Sequence, residues 1–117
     1  MKLSEFDELK LKLRKFAAER DWDQFHSPKN LAMALTAEAG ELLEIFQWLS
    51  EEQSQKLSSG DLKKTEEELA DVLLYLIRLS DQLKIDLVSA ANEKLAVNAR
   101  KYPVHKARGT SRKYTEL

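Results

Sequence analysis

The sequence predicts an all-α protein with a core resembling a four-helix bundle. Glycine and proline, the residues that most often interrupt helices, occur only three and two times in 117 residues. Apolar residues recur at intervals of three and four, the spacing of one face of an α-helix. Short connections between such segments are typical of helices that pack as neighbours. We therefore expect one helical domain over residues 1–117, a length that suffices for a hydrophobic core.

The first two predicted helices begin with capping signals. Ser4 with Asp7 resembles a capping box, and we expect the helix that it opens to extend to about Arg20. Residues 27–28 are a serine and a proline, which suit the N-cap and the first turn of a second helix. We expect this second helix to end near Leu49.

The third predicted helix follows residues 50–60, whose Glu, Gln, Ser and Lys content indicates an exposed connection. Asp61 is the expected N-cap of this helix. Its apolar stripe consists of Leu62, Leu69, Val72 or Leu73, Leu76 and Leu83.

The fourth predicted helix begins at a break in the pattern where Asp86 can serve as N-cap. It should end near Lys101, because the residue before Pro103 disfavours helical geometry. Residues 102–117 have no helical period, and we expect an extended or partly disordered basic tail.

Composition and charge exclude several classes of protein. The 19 basic and 20 acidic residues nearly cancel, which argues against a partner that is a nucleic acid polymer. No cysteine is present, so disulfides and thiolate metal sites are excluded. The first 20 residues are too charged for a signal peptide, and no apolar run is long enough for a membrane span. We expect a cytoplasmic protein without a membrane partner.

Two pairs of acidic residues lie on helices that are otherwise strongly apolar. Glu38 falls at a heptad position within the stripe of the second helix, and Glu41 follows it by one turn. Glu68 and Asp71 repeat this spacing on the third helix. Like charges three residues apart destabilise a helix by a few tenths of a kcal/mol. No lysine or arginine lies three or four residues after any of the four to offset this repulsion.

These acids allow two interpretations. On an arbitrary helix such residues form a solvated, salt-bridged face. Here Glu38 lies between Leu35 and Leu42, so partial burial would require a positive partner. A set of carboxylates without histidine or cysteine favours Mg²⁺, or Mn²⁺, over zinc. Magnesium held by carboxylates most often serves phosphate chemistry, which makes an enzyme the leading hypothesis.

The spacing of the four acids resembles the signature of the all-α nucleoside triphosphate pyrophosphohydrolases, the MazG-like group. The flanking segments ERDWDQFHSPKNL, EAGELLEIFQW, EEELADVLLYL and RKYPVHKARGTSRKYTEL are similar to the dCTP pyrophosphatase branch of that group. The resemblance covers nearly the whole chain from Glu19 onward. It departs at Leu13, where this branch carries a histidine near the base.

The resemblance implies Mg²⁺-dependent hydrolysis of a (deoxy)nucleoside triphosphate, most simply dCTP or a modified dCTP, to the monophosphate and pyrophosphate. It implies that the metal ligands are Glu38, Glu41, Glu68 and Asp71. It further implies substrate-binding roles for Trp22, Trp48, Tyr75, Lys94 and Asn98. Water would attack the α-phosphorus, with Glu41 or Glu44 orienting it as the catalytic base.

Surplus apolar helix faces in so short a chain predict a homo-oligomer, and the resemblance implies a dimer or a tetramer with sites built between subunits.

Two other functions stay open at this point. One is a non-catalytic helical module whose acids form an exposed partner-binding face. The other is a pyrophosphohydrolase for another nucleotide, such as dUTP.

Overall fold

A computed structural model describes residues 2–117, and within them regular structure is entirely helical. Four long α-helices and two short ones follow one another along the chain: α1 (Glu5–Glu19), α2 (Pro28–Phe46), α3 (Glu51–Ser54), α4 (Ser59–Gln82), α5 (Leu87–Lys101) and α6 (Val104–Ala107). Two 3₁₀ turns, at Asp23–Phe25 and Tyr114–Glu116, complete the order. The predicted all-α class is confirmed. No helix in this part of the chain combines the length and the apolar character needed to cross a membrane.

Three of the four expected caps, Ser4, Ser27 and Asp86, are confirmed. The hydroxyl oxygen of Ser4 accepts a hydrogen bond from the Asp7 backbone N–H at 3.1 Å, and Ser27 accepts one from the Asn30 N–H at 3.2 Å. Asp86 caps α5 by accepting from the Ser89 N–H at 3.0 Å. Each side chain satisfies a backbone donor that has no partner within its own helix.

The prediction that Asp61 caps the third long helix is wrong. Helix α4 begins earlier, with Ser58 as its N-cap, and Asp61 supplies the backbone N–H that the Ser58 hydroxyl accepts at 3.1 Å. Asp61 therefore lies inside the first turn, where its charge still favours the positive end of the helix dipole.

The connection before α4 contains a turn of helix that was not predicted. Ser50 and Gln53 form a reciprocal capping box that holds the four-residue helix α3. The Ser50 hydroxyl accepts from the Gln53 N–H at 3.1 Å, and the Gln53 side chain accepts from the Ser50 N–H at 2.9 Å. Helix α2 ends at Phe46, three residues before the expected Leu49, because the chain turns there to enter α3.

The described chain divides into two compact units, one ending at Lys84 and the other beginning at Ile85. In the first unit, α4 packs against both α1 and α2. Its fully buried apolar side chains are few, namely Ala17, Leu31 and Ile77.

The second unit contains α5 and the basic tail. The tail contains α6 and the last 3₁₀ turn, and its Tyr114 ring packs edge-to-face against Tyr102 with 5.9 Å between centroids. The ammonium of Lys101 lies 4.8 Å from the Tyr114 ring centroid. These contacts tie the last 3₁₀ turn to the end of α5, whereas residues 109–113 have no regular structure.

Candidate metal centre and adjoining cavity

Helices α2 and α4 bring three of the predicted metal ligands together. Glu38 and Glu41 lie one turn apart on α2, and Glu68 lies on the neighbouring α4. One carboxylate oxygen from each of the three lies within 4.8 Å of the others. Glu38 and Glu68 are half-buried, while Glu41 is exposed. The heptad pattern correctly placed Glu38 on the inward side of its helix.

The electrostatics of Glu38 are set by the neighbouring carboxylates and by partial burial. The nearby Glu68 carboxylate, partial burial and the Glu41 charge, with a further contribution from Asp71, raise the pKa of Glu38 to about 7. One oxygen of Glu38 and one of Glu68, Oε2 in both cases, are buried without a hydrogen-bond partner among the described residues. Buried carboxylate oxygens without donors are costly, and a divalent cation would satisfy them. An all-oxygen set suits Mg²⁺ or Mn²⁺.

The other two predicted acids lie beside the cluster. Asp71 is exposed and lies one turn beyond Glu68 on α4. Its charge contributes to the raised pKa of Glu38, but its carboxylate is not among the three that lie together. Glu44 lies one turn beyond Glu41 and lines an open acidic depression that continues from it. That depression also includes Lys64, which lies four residues before Glu68. A lysine side chain therefore does lie near the acids, at a position before them in the sequence.

A cavity of 250 Å³ adjoins Asp71, and its wall is largely aromatic and aliphatic. It is lined by Leu13, Phe16, Ala17, Trp22, His26, Asp71, Leu74, Tyr75 and Arg78. Two of the predicted substrate-binding residues, Trp22 and Tyr75, therefore lie in one cavity with a predicted metal ligand. Leu13, where the resemblance is expected to depart, lies in the same wall.

The chain turn after α1 positions Trp22. Its backbone N–H donates to the Ala17 carbonyl at 2.9 Å, and the preceding Asp21 has a φ of 54°, which reverses the chain. The Trp22 ring then packs edge-on against Phe16, with 5.6 Å between centroids, and against His26, at 6.2 Å. Trp22 remains 42% exposed, so one part of the ring is free to contact a ligand.

The other predicted substrate-binding residues are Trp48, Lys94 and Asn98. Trp48 follows α2, is 86% exposed and does not belong to the cavity wall. Lys94 and Asn98 lie on α5, in the second compact unit. Their roles remain predictions.

Sequence reasoning missed the polar contacts that fix the turn carrying Trp22. The Arg78 guanidinium, only 6% exposed, donates to the Asp23 carboxylate and to Nδ1 of His26. The sequence did contain a signal, because Arg78 interrupts the apolar run between Ile77 and Leu79 on a helix. A buried arginine requires hydrogen-bond acceptors, but the sequence does not show which residues supply them.

Comparison with known proteins gives consistent results. The sequence profile of the MazG-like family matches residues 33–117. Over 104 residues, 87% of this chain, the sequence is 50% identical to human dCTP pyrophosphatase 1 and covers 61% of that protein. The bovine dCTP pyrophosphatase 1 is 48% identical over the same length, with 62% of it covered. The chain thus spans about three fifths of the length of these curated relatives.

A solved structure shares the fold. The crystal structure of a pyrophosphatase from Archaeoglobus fulgidus superimposes with a TM-score of 0.82 at 40% identity, covering 88% of this chain and 96% of that one. From the profile match and these identities, the chain belongs to the MazG-like family. The predicted membership is confirmed, together with the similarity to its dCTP pyrophosphatase branch.

Proposed function

We propose that this protein is a Mg²⁺-dependent pyrophosphohydrolase that converts dCTP, or a modified dCTP, to the monophosphate and pyrophosphate and so removes unwanted nucleotides from the pool. The observation that carries the proposal is the cluster of Glu38, Glu41 and Glu68, with two buried oxygens that lack donors. The identity to relatives named dCTP pyrophosphatase 1 supports the choice of nucleotide.

Each residue of the site has its own role in the proposed reaction. Glu38, Glu41 and Glu68 would hold the metal, and Asp71, in the wall of the aromatic cavity, would be the fourth ligand. A bound Mg²⁺ supplies charge neutralisation at phosphate oxygens and a more acidic water. Glu41 or Glu44 orients the attacking water as general base, because both face the open acidic depression. Trp22 stacks on the base, an interaction typically worth about 1–3 kcal/mol.

The reaction is tested by its products in isotopically labelled water. We expect Mg²⁺-dependent release of pyrophosphate from dCTP, with the ¹⁸O of the solvent entering dCMP because water attacks the α-phosphorus. Label in pyrophosphate would place the attack at the β-phosphorus, and no turnover with either Mg²⁺ or Mn²⁺ would contradict the proposal. A panel of nucleotides, dUTP and 5-substituted dCTP included, ranked by kcat/KM, then defines base preference.

We further propose a homo-oligomer, a tetramer in our prediction. Large apolar side chains of α2 and α4 are exposed on the single chain: Leu43 by 61%, Leu62 by 58% and Leu69 by 52%. The stripe predicted for the third long helix therefore lies largely on the surface of one subunit, and burying it between subunits gains about 25 cal/mol per Å². Sedimentation at the monomer mass at low micromolar concentration would contradict this. A cytoplasmic location accords with a nucleotide substrate drawn from the cellular pool.

A further inference from the structure

The guanidinium of Arg78 holds the turn that closes one side of the aromatic cavity. Arg78 projects from α4, and its Nη2 donates to the Asp23 Oδ1 in the 3₁₀ turn that follows Trp22. One turn further along α4, Gln82 Nε2 donates to the His26 backbone carbonyl at 3.0 Å. Helix α4 therefore fixes both the backbone and the acidic side chain of this turn.

Arg78 also contacts the ring of His26. Its Nε–H donates to His26 Nδ1 at 3.1 Å. Because a guanidinium remains protonated, Nδ1 must act as the acceptor, and a neutral imidazole then carries its hydrogen on Nε2. Burial and the Arg78 charge both lower the pKa of His26, against a smaller opposite effect of Asp23, which favours the neutral ring.

This arrangement leaves one donor uncommitted. The hydrogen bond of the His26 side chain among residues 2–117 is the one that Nδ1 accepts from Arg78, so Nε2–H remains available. His26 belongs to the cavity wall, whose aliphatic members Leu13 and Leu74 offer no hydrogen bond to a ligand. An uncharged base can enter a largely apolar wall without the desolvation cost that a phosphate would incur there.

We propose that Arg78 is a positioning residue for the nucleotide: it holds His26 as the Nε2–H tautomer, and this N–H donates to a carbonyl oxygen or ring nitrogen of the bound base. The proposal rests on the proposed function, because it assumes that the base occupies the aromatic cavity. It gives the cavity a hydrogen bond in addition to stacking, and so a means to favour bases with an acceptor at that edge.

The tautomer is tested directly by long-range ¹H–¹⁵N NMR of the full chain labelled at histidine. The sequence has only two histidines, so a His105→Gln variant assigns the signals of His26. We expect an unprotonated Nδ1 and a protonated Nε2 in the unaltered protein, and a mixture of tautomers in Arg78→Leu. A protonated Nδ1 in the unaltered protein, or no change in the variant, would overturn the proposal.

The role in recognition is tested with dCMP, whose binding does not depend on turnover. We expect His26→Phe and Arg78→Leu each to weaken dCMP binding about tenfold, the scale of one lost hydrogen bond. His26→Gln, which keeps an N–H near the position of Nε2, should restore most of the affinity. The double variant should bind no worse than His26→Phe, because both changes remove the same contact.

Two controls separate positioning from simple structural support. Arg14→Gln removes an arginine that binds Asp81 through two 2.7 Å hydrogen bonds. Arg14 does not contact His26. This variant should leave dCMP affinity unchanged. Arg78→Lys keeps the charge without the planar fork and, if it is folded by circular dichroism, should show the mixed tautomers of Arg78→Leu.

The outcomes also separate this proposal from the proposed reaction. If dCTP is not hydrolysed but the tautomer and the dCMP affinities follow the expected pattern, the reaction is wrong and the positioning role stands. If dCMP binds the unaltered protein and all variants equally, or does not bind at all, the positioning role is overturned even when dCTP is hydrolysed.

Discussion

At the residue scale, the cluster around Glu38 shows how a functional site departs from the rules that stabilise a fold. Three carboxylates share a small volume, two of their oxygens are buried without donors, and the pKa of Glu38 rises to about 7. Near neutral pH these groups oppose folding in the absence of a cation. A bound metal ion would remove this destabilisation.

Replacing Glu38 by glutamine should therefore stabilise the metal-free protein. A raised folded-state pKa means that stability falls as pH rises from the usual value of 4.5 towards 7, so removing the titrating group gains stability above that window. We expect the Tm at pH 8, without metal, to rise by roughly 3–6 °C, and the stabilisation by Mg²⁺ to disappear. Glu66→Gln, at an exposed side chain of α4, is the matched control. It should neither raise the Tm nor remove the stabilisation by Mg²⁺. A lower Tm for Glu38→Gln would show that the carboxylate is structural.

Mg²⁺ binding should strengthen with pH up to the pKa of Glu38. Below about 7 the metal has to displace a proton from this carboxyl group, and above it no proton is released. Calorimetric titration in two buffers of different ionisation enthalpy measures both the affinity and the protons released. An affinity that does not change between about pH 5 and 8 would contradict the assigned ligand.

At the element scale, caps and apolar periods predicted where the long helices lie because both are local properties of the sequence. The N-caps Ser4, Ser27 and Asp86 were found, since each directly precedes a periodic segment. Asp61 was mistaken for a cap because Ser58 is an equally good one, and only the backbone path decides between them. The contacts of Arg78 with Asp23 and His26 could not be predicted, because they join residues more than fifty positions apart.

The correction at the start of α4 is testable by stability. Ser58→Ala removes the oxygen that accepts the Asp61 N–H and should lower the free energy of unfolding by about 1 kcal/mol. Asp61→Ala removes a charge near the helix dipole and should cost about 0.3–1 kcal/mol at low ionic strength, less in salt. Urea titrations of both variants provide the comparison. A larger loss for Asp61→Ala than for Ser58→Ala in high salt would restore Asp61 as the cap.

At the scale of the whole molecule, the sequence predicted the helical class, and three of the four proposed metal ligands lie together where α2 packs against α4. Asp71 lies in the wall of the aromatic cavity but not among the three gathered carboxylates, and Trp48 lies outside that wall. The exposed apolar residues on α2 and α4, such as Leu43 and Leu69, are the observation that supports the proposed oligomer. Sequence periodicity identifies an apolar stripe but not whether a helix of the same chain or of another covers it.

The central claim is that the carboxylates of α2 and α4 hold the metal for pyrophosphohydrolysis. The most direct measurement is the rate of pyrophosphate release from dCTP at saturating Mg²⁺ for the unaltered protein, Glu38→Gln and Glu66→Gln, each with and without excess chelator. We expect turnover by the unaltered protein and by Glu66→Gln, its loss on chelation, and a fall of at least about 10²-fold for Glu38→Gln with helix content retained. Unchanged turnover by Glu38→Gln, or turnover that survives chelation, would contradict the claim.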